Sequence, residues 1–226
     1  MLRTDALTWV YRTAIVLKRM DVAISPSINT MPASFARALG ALPRTHFASG
    51  AELVKPGQLA RLWFIDRGLV RLFSLNDAGV ERNHDFVGAG SWVTGTLQWR
   101  DGALCCAGAA LGVQALQSTI AVGLPISWLE QQQRESPEAT AWLAQQLMQL
   151  SAHRLQREMA LMQQSAEQRY RTLQIEQPDL LNSLRQHHIA SWLGITAVAL
   201  SRIKRRIASD RSATSAGSPS GQSESI

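Results

Sequence analysis

Cysteine is almost missing from this chain: Cys105 and Cys106 are the only two, and they are neighbours. Adjacent cysteines rarely bridge each other, and two thiolates cannot complete a four-ligand zinc or iron–sulfur site. A disulfide scaffold and an all-cysteine metal centre are therefore not expected. The pair reads as two small apolar residues in a chain suited to a reducing, cytoplasmic compartment. Long hydrophobic runs are missing as well, so no membrane span is expected. Leu7–Leu17 is mildly apolar, but Arg12 interrupts it and no small-residue cleavage site follows. It reads as a short amphipathic helix ending at Ser25-Pro26-Ser27 rather than as a signal peptide, with Met20 or Met31 as alternative starts. Metal-ligating clusters are absent too. Asn83-His84-Asp85 is the one candidate, and no second histidine stands near it in sequence. An enzyme of the metal-binding β-roll type therefore lacks its ligand set, and neither catalysis nor a cofactor is expected.

Glycine and proline are unevenly distributed, and this divides the chain. Between Ser136 and Leu173 there is no glycine, and Pro137 is the only proline. Ahead of that stretch the texture is the reverse, with short apolar runs separated by glycine-rich corners. Ala33–Leu42 reads as a short helix stopped by Pro43. Leu62–Ile65 and Leu69–Leu75 then flank the turn Asp66-Arg67-Gly68, and Asn76-Asp77-Ala78-Gly79 leads into a third run from Val80. Lys55-Pro56-Gly57 and Val87-Gly88-Ala89-Gly90 mark further corners, and residues 113–122 form another alternating run. This pattern predicts an all-β roll of about eight short strands.

Ser136-Pro137-Glu138 is a helix start: a capping hydroxyl, proline in the first turn and an acid at the positive end of the helix dipole. Beyond it Met148, Ala152, Leu155, Met159, Met162 and Ala166 follow each other at intervals of 4, 3, 4, 3 and 4. That is a heptad seam. Leu143, Leu147 and Leu150 form a second stripe on another face. Two apolar faces on one helix fit two partners, its own β domain and a second copy of the chain. The alternative buries both faces in one domain, which suits a helix of about 25–30 residues poorly.

Acidic residues are scarce at the other end. From Leu181 to Arg211 stand Arg185, Arg202, Lys204, Arg205, Arg206 and Arg211 against Asp210 alone. The whole chain carries a net +6, from 23 Lys and Arg against 17 Asp and Glu, so most of the excess is here. Within this segment Ile189, Ala190, Trp192 and Leu193 give one helix an apolar face. Gly194 can take the positive φ of a helix end, and Thr196 can cap the next helix. Leu200, Ile203 and Ile207 form the buried stripe of that second helix, and Val198, Ser201, Arg202, Arg205 and Arg206 lie opposite. This is a helix–turn–helix with a basic second helix, which in such motifs enters the major groove. The candidate DNA-binding residues are Gln186, His187, Thr196, Val198, Ser201, Arg202, Arg205 and Arg206. Arg202 is assigned to base reading, and Arg205 and Arg206 to phosphates. The candidate dimerisation residues are Met148, Ala152, Leu155, Met159 and Met162. A helical hairpin with a merely solvated basic face is the competing reading.

Over residues 33–208 the sequence resembles the Crp/Fnr superfamily of bacterial transcription regulators. The resemblance is carried by His188–Thr196 with Leu200-Ser201-Arg202-Ile203, by Phe64–Arg71, and by the Asn76–Gly79 turn. It implies an α+β chain with an N-terminal double-stranded β-roll of jelly-roll type, a long dimerisation helix and a C-terminal winged helix–turn–helix. The implied partners are double-stranded DNA with a near-palindromic operator, a second copy of the chain, and RNA polymerase. The expected organisation is an N-terminal extension over 1–32, a β-roll sensor over 33–135 and a dimerisation helix over 136–173. A DNA-binding domain over 174–208 and a disordered tail over 209–226 complete it.

Three departures from the family pattern qualify the resemblance. Gly95 falls where cyclic-nucleotide binders place a ribose-binding carboxylate, and no arginine lies between Asp101 and Gln133 to meet a phosphate. Cyclic-AMP binding is therefore not expected. The N-terminal cysteine cluster of oxygen-sensing members is missing, and His46 and His84 stand alone. Finally, the second helix opens Thr196-Ala197-Val198, where many members carry polar or acidic residues. A different operator, or a sensory protein acting through protein contacts with vestigial DNA binding, are the readings this departure leaves open.

Overall fold

The computed structural model describes residues 31–56, 62–93, 97–100, 103–106 and 111–216. The helix expected over Leu7–Leu17, its break at Ser25–Ser27, Gly57, Gly95 and residues 217–226 lie outside the described residues. The chain divides into two compact units at Glu158–Met159.

Among the described residues, the first unit begins with helix α1 (Ala33–Gly40) and continues through ten strands. These are β1 (Arg44–Phe47), β2 (Glu52–Val54), β3 (Leu62–Arg67), β4 (Leu69–Leu75), β5 (Glu81–Gly88), β6 (Ser91–Val93), β7 (Leu97–Arg100), β8 (Ala103–Cys106), β9 (Gly112–Ala115) and β10 (Thr119–Leu124). Two antiparallel four-stranded sheets, β1-β10-β3-β6 and β2-β9-β4-β5, form the roll, and β7-β8 is a separate hairpin. The expected roll is present. Its two sheets hold eight strands, the number expected, and the β7-β8 hairpin is additional to them.

The continuous apolar run Leu62–Ile65 is explained by its two covered faces. Trp63 and Ile65 point between the sheets, where Val70, Leu72, Val87, Val113 and Ala121 complete one core. Leu62 and Phe64 point outward into a second core with Phe35, Trp92, Leu129, Trp142 and Leu143. Aromatic edge contacts tie that outer core together, Phe35 lying 5.2 Å from Trp128 and 5.1 Å from Trp142 between ring centres.

Turn chemistry fixes the hairpins. Gly68 has φ +103°, and a Cβ there would lie 2.5 Å from Thr119 Oγ1 and 2.7 Å from the Ser118 carbonyl oxygen. Asn76 Oδ1 accepts from the amides of Ala78 and Val80 at 3.1 and 2.8 Å, closing the β4–β5 turn. Arg71 is buried on β4, and its hydrogen bonds and ion pair offset the desolvation of its guanidinium. It donates to Gln114 at 2.8 Å and Asn83 at 3.0 Å and pairs with Glu81 at 2.5 Å.

Helix α2 (Ile126–Glu135) follows the roll, then α3 (Pro137–Gln163). Ser136 Oγ accepts from the amide of Ala139 at 3.2 Å, so α3 starts where its cap was read. Leu143 is buried in the outer core and Leu147 packs against it, as the second stripe requires.

The helix expected over 136–173 does not run through. It ends at Gln163, and α4 (Ala166–Glu176) begins from a capping box at Ser165. Ser165 Oγ accepts from Gln168 N at 3.2 Å, and Gln168 Oε1 accepts from Ser165 N at 2.8 Å. This reciprocal pair satisfies two free amides and makes a new helix start favourable inside an unbroken apolar period. Ala166 therefore leaves the seam, which ends at Met162.

The second unit contains α4, α5 (Pro178–Ser183), α6 (Gln186–Leu193) and α7 (Ala197–Ala216). Its core comprises Tyr170, Leu173, Leu184, Ile189, Ala190, Leu193, Leu200, Ile203 and Ile207. It therefore starts earlier than residue 174. The tail expected from Ser209 is also corrected, since α7 stays helical to Ala216. No glycine or proline interrupts Ser209–Ala216, and Ser209 Oγ donates to the Arg205 carbonyl at 3.1 Å. Among the described residues no strand follows α7, so the wing hairpin is not seen there. Among the described residues, too, no helix is long and apolar enough to cross a membrane.

Candidate nucleic-acid interface

Helices α6 and α7 meet through a turn built by three residues. Gly194 has φ +73°, and its amide donates to the Ser191 carbonyl at 3.1 Å. The Ile195 amide donates to the Ala190 carbonyl at 3.0 Å, so the last carbonyls of α6 are satisfied as the chain reverses. Thr196 Oγ1 accepts from the Ala199 amide at 3.2 Å and caps α7. The helix–turn–helix is thus present, with Ile189, Ala190 and Leu193 of α6 buried alongside Leu200, Ile203 and Ile207 of α7.

The opposite face of α7 is open. Val198 is 63% exposed, and Thr196, Ser201, Arg202, Arg205 and Arg206 are also exposed. Val198, Ser201 and Arg202 share one face at spacings of three and four, and Arg205 continues it one turn on. Gln186 and His187 are exposed in the first turn of α6, so they stand on the other helix of the motif.

Arg206 differs from Arg205, because it is ion-paired to Glu167 of α4. Glu167 also accepts from Arg171 at 2.9 Å, and Arg171 pairs with Asp210 at 3.0 Å. Lys204 lies on the side of α7 towards Tyr170, its ammonium 5.8 Å from the ring centre, and burial lowers its pKa from the ordinary lysine value. Arg169 was not among the expected site residues, yet it donates to the Leu193 carbonyl at 2.7 Å and to the Gln164 carbonyl. It thereby fixes the end of α6 against the start of α4. Nothing in its local sequence announces this, because the partner is 24 residues away.

The seam residues of α3 are exposed in the single chain. Met148 is 66% and Met162 77% exposed, with Ala152, Leu155 and Met159 exposed between them.

In the roll, Asn83-His84-Asp85 is occupied by structural bonds. Asn83 serves Arg71, and His84 Nε2 shares a hydrogen bond with Ser74 Oγ at 2.7 Å. Asp85 faces His153 of α3 at 3.4 Å, the second histidine that the local sequence did not show. Arg157, one turn further along α3, donates to the His84 carbonyl at 2.6 Å. Burial, first, then Arg157, Arg82 and Arg154, hold the His84 imidazole below its ordinary pKa, with Asp85 opposing. Among the described residues no group of three or more His, Cys, Asp or Glu could hold a metal ion.

No protein-family model matches the chain, and no curated protein matches it. Solved structures do. FixK2 from Bradyrhizobium japonicum matches with a TM-score of 0.64 and 15% identity, over 75% of this chain and 86% of that one. A transcriptional regulator of the CRP/FNR family from Thermus thermophilus matches at 0.57 and 17%, over 74% and 87%. A third, described as a putative transcriptional regulator of the crp/fnr family from Eubacterium rectale, matches at 0.58 and 14%, over 83% and 88%.

Proposed function

We propose that this chain, whose fold is that of the Crp/Fnr regulators, is a sequence-specific DNA-binding transcription regulator working as a homodimer. The observation that carries the reading is the two-sided chemistry of α7. Leu200, Ile203 and Ile207 anchor it, while Ser201, Arg202 and Arg205 project from the other face beside the capped N-terminus. Arg202 can bond guanine O6 and N7 in bidentate fashion, and Arg205 neutralises phosphate.

Dimerisation is supported by the Met148–Met162 seam. A stripe of methionine and leucine exposed along a helix of 27 residues loses its contact with water when a second copy covers it. Two recognition helices then meet half-sites about one helical turn, or about 34 Å, apart. Cyclic AMP is not the effector in this reading, because residues 101–133 offer no arginine for its phosphate. The chain carries out no chemistry of its own.

A second reading, a sensory roll acting through protein contacts, is favoured by Ala197-Val198 and by the engagement of Arg206 with Glu167. A gel shift with randomised duplexes across a salt series separates the two. Enrichment of a near-palindromic sequence supports the first, and equal binding of all sequences at every salt supports the second.

A further inference from the structure

The reading half of α7 is defined as much by what it omits as by what it holds. Its first turn carries no acid. The exposed side chains there are Thr196, Ala197, Val198, Ser201 and Arg202, so no carboxylate and no amide stands among them. Thr196 Oγ1 accepts from the Ala199 amide, which leaves the hydroxyl proton and one lone pair to face outward. Arg202 has donors only.

Base edges in the major groove differ in what they ask of a protein. Cytosine and adenine present exocyclic amines, whose usual partners are carboxylates and amides. Guanine presents two acceptors, and thymine presents one acceptor and the 5-methyl group. Arg202 and the single large apolar side chain on this half-helix match guanine and thymine, while the Thr196 and Ser201 hydroxyls serve either kind of edge. An exposed valine elsewhere on the surface would need no explanation. Val198 is four residues from Arg202 on the same face, where side chains are about 5–6 Å apart, a distance of one to two base steps.

We propose that Val198 is a specificity-determining residue that packs on the 5-methyl group of a thymine one or two base pairs from the guanine bonded by Arg202. This rests on α7 being the DNA-reading helix. Each half-site then contains a thymine whose methyl group carries affinity, next to a guanine whose O6 and N7 do.

The test starts from the duplex that the full chain enriches most from a randomised library. Each thymine in it is replaced singly by uracil, which removes the methyl group alone. Wild-type protein is expected to lose about fourfold in affinity per half-site at one symmetric pair of positions, the transfer value of one buried methyl group. Val198→Ala, at an exposed position, is expected to show that loss on the unmodified duplex and no further loss with uracil. Val198→Glu is expected to shift the preference at that pair towards cytosine. The proposal is overturned if no thymine responds to loss of its methyl, or if Val198→Ala responds to uracil as the wild type does. If the library yields no enriched sequence at any salt, the DNA-reading role of α7 falls, and the role of Val198 falls with it.

Discussion

Arg206 and Glu167 are ion-paired, which ties the outer face of α7 to the first turn of α4. The neighbouring Arg205 has no such tether and stays exposed. The two arginines therefore differ in what they can give to a phosphate. Arg205→Ala is expected to reduce the slope of log K against log salt by about 0.9 per half-site, the value of one phosphate contact. Arg206→Ala is expected to reduce it less, because Arg206 must first leave Glu167. Binding isotherms at four or five salt concentrations measure both slopes, and equal reductions would place both guanidinia on phosphate.

The α3 seam predicts an oligomer that one charge can split. Met159→Glu places a carboxylate among exposed apolar residues, so the single chain tolerates it while a paired helix does not. Sedimentation equilibrium is expected to show a dimer for the wild type and a monomer for Met159→Glu, with unchanged helix content by circular dichroism. A monomeric wild type would remove the seam as an interface.

Two glycines with positive φ are expected to respond differently to alanine. At Gly194 an added Cβ meets only Leu161 Cδ2 at 4.0 Å, so the cost is that of the left-handed backbone, about 1–2 kcal/mol. At Gly68 the same Cβ would overlap backbone atoms of Ser118 and Thr119. Gly68→Ala is therefore expected to cost more than Gly194→Ala, about 3 kcal/mol or above. Urea unfolding midpoints rank the two.

His84 adds a pH dependence whose sign is fixed by its surroundings. Its folded pKa lies below the ordinary 6.5, so the unfolded chain takes up a proton first as pH falls. The stabilisation from the neutral imidazole is complete above 6.5 and declines as the pH drops below that value. The urea midpoint is expected to fall between about pH 7.5 and about pH 5.5, and less so in His84→Gln. A larger fall in the variant would contradict the assignment.

Local chemistry made much of this molecule legible from its sequence. The Asp66–Gly68 and Asn76–Gly79 turns, the Ser136 cap and the Gly194–Thr196 junction all depend on residues within four positions of each other. The break at Ser165 was hidden because a capping box sits inside an intact heptad period, and hydrophobic spacing does not register it. The length of α7 is hard to see in the sequence because serine-rich composition resembles a tail, although no helix breaker stands between Ser209 and Gly217. The contacts of Arg169 with Leu193, Arg171 with Asp210 and Glu167 with Arg206 are not legible, since they join residues 24 to 39 positions apart. His153 opposite Asp85 was hidden for the same reason. Chain topology, not pattern, brings these groups together.

Base reading by Arg202 of α7 separates specific from general DNA affinity, and a paired titration measures that separation. Wild type and Arg202→Ala are titrated, at a fixed salt concentration, against the enriched duplex and against a scrambled duplex of the same length. Arg202→Ala is expected to lose about 1–3 kcal/mol on the enriched duplex and much less on the scrambled one. Equal losses on both would make Arg202 a phosphate contact and contradict the claim.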